Sequence, residues 1–526
     1  LAVIADRGGP LDVREALGAR GCIPARSPAG RGAALVAAAS LALAGLALGP
    51  AQGARAGQLA ATTSLVSADP SGGEETGSNA GYPPALSRDG RHVAFASAAS
   101  TLVRGDTGGR TDVFVRDLDP ATGAWTTTRV SVGLGGAEAD GDSTEPSISA
   151  DGRYVAFTSQ AANLVKGDAN GTSDVFLWDR KGGGIVRVSG NSLGGDAGGW
   201  SWQPSVSADG QVVSFLSDAP DLVPGDGNGF ADVFVWDTRA GPPRVTLVSG
   251  APSGAPTDGD AWQQALSADG GTVVFTSDAT NLVADDGNQA SDVFVHDRAS
   301  GRTTLESRGS DGAVGDNWSY YPAISGDGGV VAFDSLSSNL APNDGERPDI
   351  FVRDRTTGQT TIASVSASGG KADAASFAPS LSADGRYLAF DSDASNLVVS
   401  DANGNGSDVF VRDLAAGRTT LVSVDATGLA PFDQAYNAAI SGDGTQVAFV
   451  GLTVLPGLVD AQYYLRGPLL QPPLVGVASA TPTTVPPVAS TTPTTTTATP
   501  TTTTSSPTTT SGPATTIAPT TTQPPG

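Results

Sequence analysis

The sequence predicts an all-β protein: a seven-bladed β-propeller closed by its N-terminal strand, followed by a disordered C-terminal stalk. Three observations predict it. The tetrapeptide Ser-x-Asp-Gly recurs with its aspartate at Asp89, Asp151, Asp209, Asp269, Asp327, Asp384 and Asp443, at intervals of 62, 58, 60, 58, 57 and 59 residues. Each interval carries short alternating apolar runs separated by glycine turns, a pattern of strands rather than helices. The last copy lacks a fourth strand, and a matching segment stands ahead of the first copy. Seven copies at near-equal intervals are one repeating unit, so the 526 residues hold one large domain, not the three or four that length alone suggests.

Residues 1–56 read as a leader with a signal peptide. Arg26 and Arg31 precede a sixteen-residue apolar run over 33–48, and Ala54-Arg55-Ala56 offers a small-residue cleavage site. The run is shorter than the roughly 20 residues that span a bilayer, so export to a secreted or cell-envelope location is expected, with a retained N-terminal anchor as the alternative. The only cysteine, Cys22, precedes that run, the wrong side for lipid attachment.

Residues 57–470 are the propeller. In the second copy, Pro146-Ser147-Ile148-Ser149 leads into the turn Ala150-Asp151-Gly152, and residues 154–158 alternate as a strand. Residues 174–179 form a third strand, and a glycine turn delivers a fourth over 185–189. Apolar residues on both faces of the middle strands suit a small sheet packed between two neighbours. The seventh copy starts normally but meets Pro468 and Pro472 after Tyr463-Tyr464-Leu465. The segment 62–67 (TTSLVS) matches the fourth strands at 419–423 and 246–249, so pairing of the two ends is expected to close the ring. Residues 471–526 are nearly all Thr, Pro, Ser and Ala. They cannot bury enough apolar area to offset chain entropy, so a solvated, disordered stalk is expected.

Charge and composition exclude several function classes. A net charge of −24 and a pI near 4.3 disfavour polyanion partners, so no nucleic acid is expected. One cysteine and two histidines, His92 and His296, leave no disulfide and no thiolate zinc cluster. His296 takes a slot held by Arg116, Trp178, Trp236, Arg353 and Arg412 in sister copies, which marks it as a packing residue. Gly190-Asn191-Ser192-Leu193-Gly194 matches G-x-S-x-G, but a glycine-rich loop follows it where a hydrolase has a helix.

The segments PSISADGRYVAFTS (146–159) and PSLSADGRYLAFDS (379–392) resemble the TolB-type, WD-repeat-like β-propeller repeats of secreted and periplasmic bacterial proteins. The likeness covers roughly residues 61–467. It implies the propeller fold and is silent on activity. The helical N-terminal domain of the TolB translocation protein is not recognisable in this sequence, so a TolB transport role does not follow.

Two constellations are candidate sites. Before the third strand stand Asp168, Asn170 and Asp174; Asp226, Asn228 and Asp232; and Asp286, Asn288 and Asp292, with a longer version at Asp401, Asn403 and Asp408. Oxygen ligands at positions one, three and seven resemble part of a calcium loop, and the same residues build Asx turns without an ion; both readings stay open. Calcium is the one cofactor the sequence suggests. The second constellation lies two residues ahead of Pro84, Pro146, Pro204, Gln264, Pro322, Pro379 and Ala439. There stand Tyr82, Thr144, Trp202, Trp262, Tyr320, Phe377 and Asn437, with Tyr436 one residue off in the last copy, and Trp200, Trp318 and Tyr321 nearby. These positions feed the innermost strand and are expected to ring one mouth of the axial channel, either as a stacking surface or as inter-blade packing.

The sequence therefore points to an exported, monomeric, non-enzymatic binding or scaffold propeller at the cell envelope, with a protein, peptide or glycan partner. The alternative is an envelope polysaccharide hydrolase or lyase that uses loop carboxylates.

Overall fold

A computed structural model describes residues 61–469, apart from 73–80, 255, 343–346, 402, 405, 427, 429, 430, 456 and 457. The leader, Cys22 and the Thr/Pro tail lie outside the described residues. Seven four-stranded antiparallel sheets are present, six of them meanders of consecutive strands and the seventh completed by the first strand of the described residues, and no helix among the described residues is long and apolar enough to cross a membrane. Blade 3 is representative, with strands Ser201–Val206, Val212–Ser217, Asp232–Asp237 and Arg244–Leu247 paired in that order. The first strands of neighbouring blades contact one another all the way round, so they form the inner wall.

The Ser-x-Asp-Gly repeat is the hairpin between first and second strands. In blade 3, Ser207 Oγ donates to Asp209 Oδ1 at 2.7 Å and accepts the Val212 amide at 3.0 Å, while Gly210 takes φ +72°. That left-handed conformation is open to glycine and costly for other residues. A second role appears only in the ring. The backbone of the x position donates to the next blade: Arg88 to Ala150, Ala150 to Ala208, Ala208 to Ala268, Ala268 to Gly326, Gly326 to Ala383 and Ala383 to Gly442. Asp443 then returns to Arg88, completing seven bonds of 2.8–3.2 Å. An added Cβ on Gly326 would meet Ala383 O at 3.0 Å and Ala268 Cβ at 3.2 Å, so this belt draws the turns tightly together at one end of the inner wall.

The core lies between blades. Second and third strands each bring a phenylalanine, and pairs such as Phe157 with Phe176 and Phe275 with Phe294 stack at 5.8 Å. Blade 7 repeats the arrangement with Phe449 and Tyr464 at 5.9 Å. Strand Thr62–Leu65 pairs antiparallel with Leu458–Gly467 and occupies the fourth-strand place of blade 7. Its chemistry matches that place. Ser67 Oγ accepts the Tyr463 amide at 3.0 Å as Ser189 Oγ accepts the Val175 amide at 2.9 Å. Arg466 donates to Thr63 Oγ1 at 2.8 Å as Arg116 donates to Thr127 Oγ1 at 3.0 Å.

Candidate functional site

Each first strand leads into the Ser-x-Asp-Gly turn and, except in blade 1, where it is confined to Ala85–Leu86, includes the aromatic position. Six residues at about 3.3 Å each place the aromatics and the belt at opposite ends of the inner wall. In most blades the strand carries a bulge just after the aromatic, and Glu145, Gln203, Tyr321, Ala378 and Asn437 take positive φ there. The bulge corrects one register. Tyr436 pairs with Val450 as Trp202 pairs with Leu216, so Tyr436, not Asn437, is the blade 7 member, and Ala438 stands in the proline position. Six of the seven positions are therefore aromatic, and the exception is Thr144 in blade 2.

These aromatics are neither wholly exposed nor core. Tyr82 is 37% exposed and Trp200 50%, while Trp202, Trp262, Trp318, Tyr320, Phe377 and Tyr436 are half-buried. Trp202 and Tyr436 also lean on the inter-blade clusters of their blades. Trp262 Nε1 donates to Asp278 Oδ2 at 3.1 Å, and Tyr320 OH accepts Ser291 Oγ at 3.3 Å, so the ring is held rather than loose. Packing therefore occupies part of the surface of Trp202 and Tyr436.

Thr144 leaves a gap in that ring. A cavity of about 270 Å3 lies there, walled by Tyr82 and Trp202 and floored by Thr144, Glu145, Asp142, Thr158 and Gln160. Glu145 is the residue that sequence reasoning missed. Its Oε2 accepts the Thr158 hydroxyl at 2.8 Å and the Gln203 amide of the next blade at 2.8 Å. Burial raises its pKa above the usual carboxylate range, against those two hydrogen bonds. No motif marks it, because its partners come from another strand and another blade.

The Asp/Asn loops form Asx turns. Asn170, Asn228 and Asn288 accept the amides of Thr172, Phe230 and Ala290 at 3.2, 3.0 and 2.9 Å. Their aspartates have different surroundings. Asp168 and Asp174 flank Arg187, a cation supplied by the chain itself, at 3.4 and 3.5 Å. Asp232 accepts Asn228 Nδ2 at 2.9 Å and the Ser249 and Thr257 hydroxyls at 2.6 and 3.0 Å, which closes the Asp226 loop internally. Asp286 and Asp292 retain unpartnered oxygens. Among the described residues, the three-carboxylate set close enough to hold a metal is Asp106, Asp112 and Glu138, and Arg129 already lies within 3.5 Å of all three.

The histidines are structural. His92 Nδ1 lies 2.6 Å from Asp117, which also receives Arg180 of blade 2, and His296 Nδ1 lies 3.0 Å from Thr303 Oγ1 with its pKa lowered by burial. Ser192 sits in a loop tied by Asn191, whose Oδ1 accepts the amides of Leu193 and Gly195, with no helix after it. A second cleft, of about 840 Å3, lies at the outer strands of blades 4 and 5, where buried Glu306 holds Arg353 and Arg355 at 2.9 and 3.0 Å.

No family model matches the chain, and no curated protein matches it. Solved structures similar to it are β-propellers. TolB from Acinetobacter baumannii is 18% identical over 53% of this chain, with a TM-score of 0.31, and this chain covers 52% of its length. A putative TolB from Agrobacterium tumefaciens is 17% identical over 65% of this chain and 94% of its own, with a TM-score of 0.35. The β-propeller domain of the Trilobed protease from Pyrococcus furiosus is 11% identical over 75% of this chain and 94% of its own, with a TM-score of 0.43. At such identities the likeness concerns the fold alone.

Proposed function

We propose that the protein is an exported, non-enzymatic binding module of the bacterial cell envelope, which takes a glycan or a peptide at its aromatic mouth. The observation that carries this reading is the cavity beside Thr144, where two aromatic walls face a floor of hydroxyl, amide and carboxyl groups. Aromatic faces supply stacking area and the polar floor fixes orientation, the division of labour in sites for small polar chains. The excess of acidic over basic residues, 54 to 30, favours a neutral or cationic ligand over an anionic one.

Intrinsic tryptophan fluorescence, titrated with cell-wall glycan fragments and with peptides, tests the site. Trp202→Ala is expected to weaken binding by roughly 1–3 kcal/mol. Thr144→Trp, which completes the ring and fills the gap, is expected to abolish binding with little change in melting temperature. Unimpaired binding by Thr144→Trp removes the cavity from the reading. The second reading, an enzyme acting on envelope polysaccharide, draws on Asp142 and Glu145, two carboxyls lining one cavity, one of them held toward its protonated form. Release of new reducing ends or unsaturated products from a bound glycan, lost in Glu145→Gln, decides for the enzyme.

A further inference from the structure

The aspartates at the ends of the loops between second and third strands need a counter-charge, and two blades supply it with an arginine of their own. In blade 2, Arg187 Nη1 lies 3.4 Å from Asp168, 3.5 Å from Asp174 and 2.5 Å from Asp196. In blade 1, Arg129 Nη1 lies 3.4 Å from Asp106, 3.5 Å from Asp112 and 2.6 Å from Glu138. Both arginines sit on the fourth strand, opposite Phe176 and Phe114 of the third. The same register in blades 4 and 6 pairs Phe294 with Leu305 and Phe410 with Leu421. The carboxylates remain there and the guanidinium is gone.

What is left is a set of buried oxygens without partners. Asp286 Oδ1 and Asp292 Oδ2 in blade 4 accept no hydrogen bond, nor do Asp401 Oδ1, Asn403 Oδ1 and Asp408 Oδ2 in blade 6. Asp292 and Asp408 are 0% exposed, and the other oxygen of each is taken by Ser307 or Ser423. The asparagine amides are engaged with backbone carbonyls, Asn288 Nδ2 donating to Gly315 O at 2.8 Å and Asn403 Nδ2 to Phe432 O at 2.9 Å, and their nearness to Asp292 and Asp408 favours the ionised carboxylates without a well-formed hydrogen bond to the free oxygens. Arg308, whose charge reaches the blade 4 pair, is engaged with Asp285 and the Gly312 carbonyl. Blade 3 also has a leucine, Leu247, but its Asp232 is satisfied by Asn228, Ser249 and Thr257. Among these loop aspartates, those of blades 4 and 6 keep a buried oxygen that neither an arginine nor a well-formed hydrogen bond reaches. A buried anion without a partner is costly and calls for a cation.

We propose that blades 4 and 6 each hold a calcium ion between the paired aspartates, Asp286 with Asp292 and Asp401 with Asp408, in the place that Arg187 fills in blade 2. The donors are hard oxygens only, with no imidazole or thiolate, which selects calcium or magnesium over zinc and later transition metals. Calcium accepts the irregular, partly hydrated set that two carboxylates and, in blade 6, one amide oxygen provide, whereas magnesium demands a near-ideal octahedron. The ion would tie the second-to-third strand loop, through Asp286 or Asp401, to the start of the third strand at Asp292 or Asp408.

The test uses the full chain, stripped with chelator and titrated with calcium alone at pH 7.5 by calorimetry and by thermal melting. Two equivalents are expected to bind, with a rise in melting temperature that magnesium at equal concentration does not reproduce. Asp292→Asn and Asp408→Asn are each expected to remove one equivalent. Leu305→Arg and Leu421→Arg rebuild the blade 2 arrangement, so each should also remove one equivalent while raising the melting temperature of the calcium-free protein. These gain-of-charge variants keep the test decisive if an aspartate variant does not fold. Absence of binding at about 10 mM calcium, an order of magnitude above the dissociation constants of weak extracellular sites, overturns the proposal, as does retention of both equivalents in Leu421→Arg. A melting temperature indifferent to calcium would also overturn it.

Discussion

At the scale of single residues, carboxyl groups are the most informative side chains in this molecule, because the ring buries them beside backbone amides of the next blade. Glu145 accepts the Gln203 amide, Asp334 the Ala378 amide at 3.2 Å and Asp391 the Asn437 amide at 2.7 Å. In each case the donor is the positive-φ residue of the following first strand, so the carboxyl fixes a bulge that the backbone would not otherwise hold. Asp334 is the extreme example, since burial raises its pKa to about 8. The unfolded carboxyl titrates at about 3.9. The fold thus favours the protonated form, and its contribution to stability is complete below pH about 4 and is lost as pH rises toward about 8. Thermal melts from pH 5 to 8.5 should show a decline in the native protein that Asp334→Asn lessens, most of all toward pH 8, above the range in which Asp112, Asp168, Asp226, Asp292 and Asp408 titrate. An equally steep decline in the variant would mean that other carboxyls set the slope.

At the scale of the element, the Ser-x-Asp-Gly hairpin shows how much was legible in the sequence. The turn residues and the 57–62 residue spacing read out the blades directly, because turn chemistry is local. The belt that joins the turns was not legible, since each of its bonds spans two blades. Nor was the register of Tyr436, because a bulge shifts side chains without marking the sequence, nor the bond between Arg187 and Asp168, which only strand pairing brings together. Glycine in the hairpin carries a second constraint besides its φ. A Cβ on Gly210 would lie 2.0 Å from the Tyr154 ring of the preceding blade, and one on Gly152 would lie 2.3 Å from His92. Aromatic or imidazole rings therefore cover the hairpin glycines across these blade boundaries. Gly210→Ala combines a disfavoured backbone with an overpacked contact, at about 1–3 kcal/mol for each effect. Denaturant unfolding should report a loss in that range or above, and Tyr154→Ala in the same chain should recover part of it. Additive losses in the double variant would show that the ring contact contributes nothing to the cost.

At the scale of the whole molecule, the question is what holds blade 7 to blade 1. Three ties are present. The belt returns through Asp443 N to Arg88 O at 2.8 Å, and Val66, from the segment just after Thr62–Leu65, packs with Val93, Phe95 and Tyr463 in the cluster shared by the two blades. Tyr463 OH also donates to Tyr82 O at 3.0 Å, so the third strand of blade 7 reaches the mouth of blade 1. Removing the N-terminal strand leaves the belt and the tyrosine bond in place. It strips the ladder from Leu458–Gly467, exposes Tyr464 and Leu465, and leaves Gln462 without Ser67, whose hydroxyl it accepts at 2.5 Å. An unpaired edge is a template for association with a second chain. A chain beginning at Asp69 should therefore melt well below the full protein and run as dimers or larger species on size exclusion, while the full protein runs as a monomer. If the belt alone maintains the ring, the shortened chain will melt at the same temperature and stay monomeric, and the terminal strand is then a cover for blade 7 rather than its clasp. Adding the peptide 61–68 in trans separates the two cases, because a clasp restores both melting temperature and monomer, and a cover changes neither.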